Sequence, residues 1–349
     1  MARFIRQKFK QKELTKKQQN TYMVLMDYLR RQKNLSMYPY YERILGKTSG
    51  QQAQILLTLS EYRLKNEKDI KSYFQLLKGL DGYFDSLIEY SKEQVKRNLF
   101  LSDQSLKEVL QQIQNVIKQK ENNMLVATFN LRIADIKGIN AAQKKKYCRE
   151  NKKLIGTKVL PAYEKLYSHL QALNGNGKNE NGLYYYKNGK EYYKVLVAQK
   201  TGSDKTIEEM IEISDRSIEK CLRKLIKLQK KYPNIINEYR NHKKNIKIVQ
   251  NPQNILNKLR QKMVKYYPKA PKVSCKIKYV HKTMEEYTSP AFYMVPEIDS
   301  YKENVIYINK AQTAELYPTL AHEGYPGHLY QNVYYAARNY DPVRYLLDY

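Results

Sequence analysis

The chain has 349 residues and a mass of 41.5 kDa, which is long enough to bury a sizeable core in one large domain or two smaller ones. Its 63 Lys and Arg residues outnumber 34 Asp and Glu residues, and the resulting net charge of +29 attracts polyanions. Three widely separated cysteines argue against a disulfide framework or a zinc ribbon, and no segment approaches the ~18 apolar residues of a membrane span.

The N-terminal half reads as a series of amphipathic helices. Met1–Lys10 is basic but lacks the following apolar run of a signal peptide, so the sequence as written predicts a cytoplasmic protein. From Thr15 to Arg31 apolar residues recur at three- and four-residue steps, and the same period continues to about residue 173. We assign residues 1–37 to an N-terminal helical segment and 38–349 to one helical domain.

The period resumes after a loop. The segment Asn174–Gly182 holds three glycines and four asparagines, which predicts a loop. Thr206 and Glu209 form a candidate capping box for a long helix that has an apolar face. Lys and Arg crowd its opposite side from Arg223 to Lys231, and this side is expected to be solvated. The many tyrosines follow the same spacing as Leu and Ile, so we expect them to pack in the core rather than to stack on nucleic-acid bases.

The C-terminal third changes character. After a helix ending near Tyr266, Val273–Val280 alternates apolar and polar residues, the pattern of a half-buried strand. Ala291–Val295 and Asn304–Ile308 are short segments rich in β-branched and aromatic residues, which predicts two further strands. A small sheet is therefore expected immediately before the segment that carries the chemistry.

That segment is Ala321–His328, which contains two of the five histidines. In His-Glu-x-x-His, two imidazoles one helical turn apart bind zinc and the Glu acts as a general base. Here His328 follows His322 by six residues, and on an unbroken helix the two side chains would point roughly 120° apart. A break at Pro326-Gly327 would return His328 toward His322. The residues alone leave open an ordinary turn flanked by two polar histidines.

The run Thr319–Gln331 resembles the signature of the bacterial "domain of unknown function 885" family, regarded as zinc-peptidase-like. The family pattern is His-Glu, two variable residues, Pro-Gly-His, commonly a second His, a hydrophobic residue and Gln, and Leu329 stands at the commonly doubled His. Further similar segments extend the resemblance over most of the chain from about residue 38: Tyr40–Gly46, Gly177–Leu183, Gly189–Tyr193 and Pro290–Pro296.

The resemblance implies a mostly α fold: a large multi-helix domain with a small β-sheet next to the His-Glu motif, zincin-like (gluzincin-like). Family members carry a later Glu-Gly-Trp segment whose Glu is the expected third ligand, but this sequence has no Trp and stops at Tyr349. The sequence therefore reads as C-terminally truncated. Because related proteins are often exported, export is expected if the N-terminus is also incomplete.

The function implied by the resemblance is a zinc-dependent metallopeptidase acting on a peptide substrate. His322 and His328 would bind zinc as neutral imidazoles, and Glu323 would accept the proton of the attacking water. Tyr325 is a candidate for steadying the oxyanion or a packed aromatic residue. Asp348 is a less favoured substitute for the third ligand.

Two sheet residues are candidate substrate contacts. An extended peptide can add to the edge of a sheet, so Tyr293 and Asn309 are the positions to inspect first, although both residues fit equally a role in completing the sheet. Two other functions stay open: a truncated or inactive homologue without the third ligand, and a basic helical protein that binds nucleic acid, which we rank last. The oligomeric state is not predicted.

Overall fold

A computed structural model describes residues 1–47, 50–120, 123–177, 181–234, 236–238, 241, 251–282, 285, 288–298, 300–312, 316–338 and 341–347. The chain forms two compact units, each described here by itself. Unit 1 comprises Met1–Leu35, Tyr193–Val280 and Thr288–Tyr349, and unit 2 comprises Ser36–Tyr192 and His281–Tyr287. Residues 1–35 thus belong to the same unit as the C-terminal third, whereas the sequence suggests a separate segment ending at residue 37.

The described residues are mostly helical, with one small sheet, as the sequence predicts. The strands are β1 (Ser274–Tyr279), β2 (Ala291–Met294) and β3 (Glu303–Ile308). A π-helical turn, Ile155–Val159, joins the seventh and eighth helices. In chain order the helices are α1 (Ala2–Lys8), α2 (Lys16–Leu35), α3 (Gln51–Glu61), α4 (Glu67–Lys96), α5 (Asp103–Lys118), α6 (Met124–Ala134), α7 (Ala141–Leu154), α8 (Leu160–Gln171), α9 (Gly189–Thr201), α10 (Ile207–Lys231), α11 (Pro252–Met263), α12 (Leu316–Glu323) and α13 (His328–Ala336).

The core of unit 2 is built around α4, which runs for 30 residues. Its apolar residues recur at helical spacing, and Leu77 and Phe84 in that stripe are completely buried. Tyr163 of α8 packs edge-on against Phe84, and its hydroxyl donates to the carbonyl of Gln52 at 2.7 Å. Burial raises the pKa of the Tyr163 phenol well above its usual value. This tyrosine is a core residue, as its spacing predicts.

The N-terminus of α4 is closed by a capping box. The Asn66 side chain accepts from the Asp69 N–H at 3.2 Å, and the Asp69 carboxylate accepts from the Asn66 N–H at the same distance. Asn66→Ala is expected to lower the free energy of unfolding by about 1 kcal/mol, because it leaves a backbone donor of the first turn without its cap. Urea denaturation followed by circular dichroism measures the change. Lys78→Ala, at an exposed position in the same helix, is the control and should stay within about 0.5 kcal/mol of the parent.

The predicted glycine- and asparagine-rich loop lies in unit 2. The backbone N–H groups of Gly175 and Gly177 both donate to the Asp103 carboxylate at 3.1 Å, at the start of α5. These two bonds fix the first part of the loop, while residues 178–180 lie outside the described residues.

The sheet of unit 1 has the order β1-β3-β2, with β1 parallel and β2 antiparallel to β3. The three strands confirm those predicted, the first from its alternating pattern and the other two from their β-branched and aromatic residues. Ile306 of the central strand is completely buried in a cluster that includes Leu256 of α11, Leu320 of α12 and Leu329 of α13. This shared core seats the two helices that carry the histidines.

The long helix α10 in unit 1 follows the predicted capping box but exposes its apolar face. The expected capping box is present, since the Glu209 N–H donates to Thr206 Oγ1 at 3.1 Å and Glu209 Oε2 accepts from the Thr206 N–H at 2.8 Å. No residue of α10 is buried, however, so the apolar face that the period identifies does not lie in the core. A helical period reports that one face is apolar, but it does not identify what covers that face.

Candidate metal centre

The helix α12 presents the His-Glu pair in its last turn. Leu316 and Leu320 anchor one face in the core, where they are 5% and 0% exposed. The side chain of His322 is 69% exposed and that of Glu323 only 12%, so the imidazole is open to solvent and the carboxylate is largely shielded from it. Helical spacing thus separates the anchoring face from the end of the helix that carries His322 and Glu323.

The helix stops after Glu323, and α13 begins at His328. An ideal Cβ built on Gly327 would lie 1.6 Å from the carbonyl oxygen of His322. No side chain fits there, because the two backbone segments already touch. The Gly324 carbonyl accepts from the Tyr330 N–H at 3.1 Å, which ties the turn to the first part of α13. Gly327 therefore permits the close return of the chain that the Pro-Gly step predicts.

This turn brings the two imidazoles together. The Nε2 atoms of His322 and His328 are 3.1 Å apart, and the ring centroids are 4.6 Å apart with the planes nearly perpendicular. Two nitrogens bound to one tetrahedral zinc at ~2.0–2.1 Å would be separated by about 3.4 Å. The observed separation is close to that value, so this pair of donors fits a zinc ion.

Glu323 completes a cluster of three potential ligands. Its Oε1 lies 4.0 Å from His322 Nε2, and one donor atom from each of the three residues lies within 4.8 Å of the others. Its Oε2 accepts the backbone N–H of Tyr293 at 2.8 Å. One carboxylate oxygen is therefore held by the main chain while the other faces the histidines.

Tyr293 reaches the centre through its backbone. It lies on β2, the outermost strand next to β3, and its N–H points away from β3 toward Glu323. Its side chain turns the other way, is 9% exposed and donates its hydroxyl to Asn304 Oδ1 at 2.7 Å. Burial raises the pKa of this phenol. The phenol is a core group, and the contact to Glu323 is made by the main chain of Tyr293.

The other two candidate substrate residues are buried. The Asn309 amide donates to the carbonyl and hydroxyl oxygens of Thr288 at 3.1 and 3.2 Å, and its oxygen accepts from the Ala311 N–H at 3.0 Å. Tyr325 is 3% exposed, and the Arg260 guanidinium lies 5.6 Å from its ring centroid. Burial raises the pKa of the Tyr325 phenol. Both side chains hold the protein together in this structure, and neither presents an exposed group to a substrate.

A cleft of about 1120 Å³ within unit 1 adjoins Glu323 and His328. The sequence predictions did not include Asn332 and Tyr335, although their spacing of four and seven residues from His328 places them on one face of α13. Asp348, the candidate substitute ligand, lies outside the described residues. Cleft-lining residues from other parts of unit 1 include Met23, Val24, Asp27, Phe292 and Arg344.

Comparisons with family models, curated proteins and solved structures give the following similarities. The family model described as "Bacterial protein of unknown function (DUF885)" matches residues 2–349. No curated protein matches the sequence. The crystal structure of "the putative lipoprotein from Colwellia psychrerythraea" is similar with a TM-score of 0.75 at 16% identity, which shows a shared fold. The match covers 87% of this chain and 56% of that one, so this chain spans little more than half of the other's length.

A further observation concerns membranes. None of the helices among the described residues combines the length and the apolar character needed to cross a bilayer.

Proposed function

This chain belongs to the bacterial DUF885 family, and from that premise we propose that it is a zinc-dependent metallopeptidase with a zincin-like site. The observation that carries the proposal is the convergence of His322 and His328 beside a carboxylate held by the main chain. An ordinary turn between two helices does not require two imidazole nitrogens 3.1 Å apart at a solvent-exposed position.

The donor set supports zinc. Imidazole nitrogen suits this ion, and two neutral imidazoles with one carboxylate nearby resemble the ligands of catalytic zinc sites. His322 and His328 would hold the ion. Zinc bound there would act as a Lewis acid and lower the pKa of a water molecule.

Glu323 is suited to move the proton. Because Oε2 accepts the Tyr293 N–H, the carboxylate cannot rotate without losing that hydrogen bond, and Oε1 stays directed toward the histidines. Oε1 would accept the proton of the attacking water and then deliver it to the leaving amine. The low exposure of the side chain strengthens its electrostatic interactions with charges in the site.

The position of β2 at the outer edge of the sheet supports a peptide substrate. Tyr293 directs its backbone groups away from β3, on the side where Glu323 lies. An extended peptide adding to that edge would run beside the ligand cluster, with its side chains entering the adjoining cleft. In this proposal Tyr293 acts through its main chain, and Asn309 and Tyr325 support the surrounding fold.

Zinc content tests the proposal directly. The purified chain, supplied with zinc and then dialysed, is expected to retain about one zinc per chain, and His322→Ala is expected to retain almost none because half of the imidazole pair is gone. Inductively coupled plasma mass spectrometry measures the ratio. His169→Ala, at an exposed histidine of unit 2, is the matched control and should bind like the parent.

Two outcomes would contradict a zinc site. One is a parent chain that holds no zinc, which would leave an inactive homologue as the explanation of the motif. The other is zinc that remains in His322→Ala at the parent level, which would locate the ion elsewhere.

A further inference from the structure

The helix α10 exposes a continuous apolar face. Ile211, Ile218, Leu222 and Leu225 are 54%, 56%, 52% and 47% exposed, although all four lie on one side of the helix. A strongly amphipathic helix normally buries its apolar stripe, and a contiguous exposed apolar surface marks an interaction site. Most charged residues of α10 lie on the other sides of the helix, and Glu208 and Asp215 flank the apolar face.

The apolar face follows a seven-residue repeat. Heptad position a is occupied by Ile211, Ile218 and Leu225, and position d by Ile207, Ser214, Cys221 and Leu228. The helix has 25 residues, so the repeat lasts for roughly three and a half heptads, the minimum that is typical of a coiled coil. The surface is therefore shaped to receive another helix with a similar repeat.

The charges of α10 are divided along its length. Residues 207–219 contain five acidic side chains and one Arg, while residues 220–231 contain six basic side chains and no acidic one. A second α10 lying parallel would place like charges side by side. Lying antiparallel, it would place each acidic half beside a basic half, which is electrostatically favourable.

We propose that α10 is a self-association surface, which pairs antiparallel with α10 of a second copy of this chain. A two-fold axis near residues 219 and 220 aligns Ile211 with Leu228 of the second copy, and Ile218 with Cys221. The same register sets charges of opposite sign at the same level along the pair: Glu208 with Lys231, Glu209 with Lys230, Glu212 with Lys227, Asp215 with Lys224 and Glu219 with Lys220.

At one level of this register the two facing side chains carry the same charge. Arg216 and Arg223 meet at the same height, but each is already paired within its own helix, to Glu212 at 3.5 Å and to Glu219 at 2.8 Å. These two exposed ion pairs do not cover the apolar face of α10.

Two isoleucines of α10 provide a matched test. Ile218 lies on the apolar face at position a, whereas Ile213 is 40% exposed but lies off the heptad seam. In sedimentation equilibrium the parent chain and Ile213→Asp are expected to form dimers, and Ile218→Asp is expected to raise the dimer Kd about tenfold or more. Both side chains are exposed, so neither change disturbs the fold. A monomeric parent, or equal effects of the two substitutions, would overturn the proposal and indicate a different partner.

Charge reversal tests the orientation. One triple variant changes Glu208, Glu212 and Asp215 to Lys, and the other changes Lys224, Lys227 and Lys231 to Glu. Each alone is expected to lose the dimer, because three of the five facing pairs then join like charges. The sixfold combination is expected to restore it, because those three pairs again have opposite signs. High salt should weaken the parent dimer. Triple variants that dimerise like the parent, or a parent dimer that salt strengthens, would exclude the antiparallel pairing.

Discussion

Glu323→Gln is expected to lower peptide hydrolysis by about 10²–10⁴-fold, the usual contribution of a positioned general base. The substitution preserves the size of the side chain, and the amide oxygen of Gln can still accept the Tyr293 N–H that now binds Glu323 Oε2. What it removes is the proton acceptor at Oε1. Zinc content should stay at the parent level, because both histidines remain.

Hydrolysis of a library of quenched fluorescent peptides, at saturating zinc, measures this effect. Glu164→Gln, an exposed carboxylate on α8, is the control for the loss of one negative charge and should retain full activity. Equal activity in the parent and in Glu323→Gln would exclude Glu323 as the base. If both are inert while zinc is bound, the site binds metal but does not catalyse peptide hydrolysis.

Gly327→Ala is expected to abolish zinc binding. Its Cβ would lie 1.6 Å from the carbonyl oxygen of His322 and 2.6 Å from that of Ala321, and both obstacles are backbone atoms that no rotamer change can move. The turn must open, which separates the imidazoles. The expected loss of stability is at or above the upper end of the roughly 1–3 kcal/mol that overpacking costs.

The control for this substitution is Gly82→Ala. Gly82 lies in α4, and an added Cβ there meets nothing within 4 Å. Replacing a glycine within a helix by alanine should stabilise the chain by about 0.5–1 kcal/mol, so the two variants are expected to shift urea denaturation in opposite directions. Isothermal titration with zinc completes the comparison. A Gly327→Ala chain that binds zinc with parent affinity would show that the close backbone contact does not organise the pair.

The sequence was informative wherever residue type determines local geometry. The apolar period located α4 with its buried Leu77 and Phe84, while alternation located β1 and the β-branched and aromatic residues located β2 and β3. The spacing of His322 and His328 alone predicted side chains on different faces, and only the Pro-Gly step pointed to their convergence. That inference depends only on the backbone properties of proline and glycine, which are known from the residue types at positions 326 and 327.

The missed features depend on tertiary contacts. The part of Tyr293 that meets Glu323 is its main-chain N–H, a group that every residue except proline carries, so the residue type gave no signal for it. Asn309 was selected for its position near the strands, but its amide is bonded to Thr288, more than twenty residues earlier. The preference for a peptidase over a nucleic-acid-binding protein came from the family resemblance, because the net charge is compatible with either.

The hydrogen bond from residue 293 to Glu323 has a consequence for sequence variation. Since the donor belongs to the peptide backbone, the path of the strand sets the orientation of the Glu323 carboxylate. That orientation is independent of the side chain at position 293. With phenylalanine or leucine at position 293, Glu323 Oε1 would still face the histidines. Proline alone would release it, because its ring nitrogen carries no hydrogen. The orientation of the Glu323 carboxylate thus follows from main-chain geometry at position 293, while the buried phenol of Tyr293 serves the core.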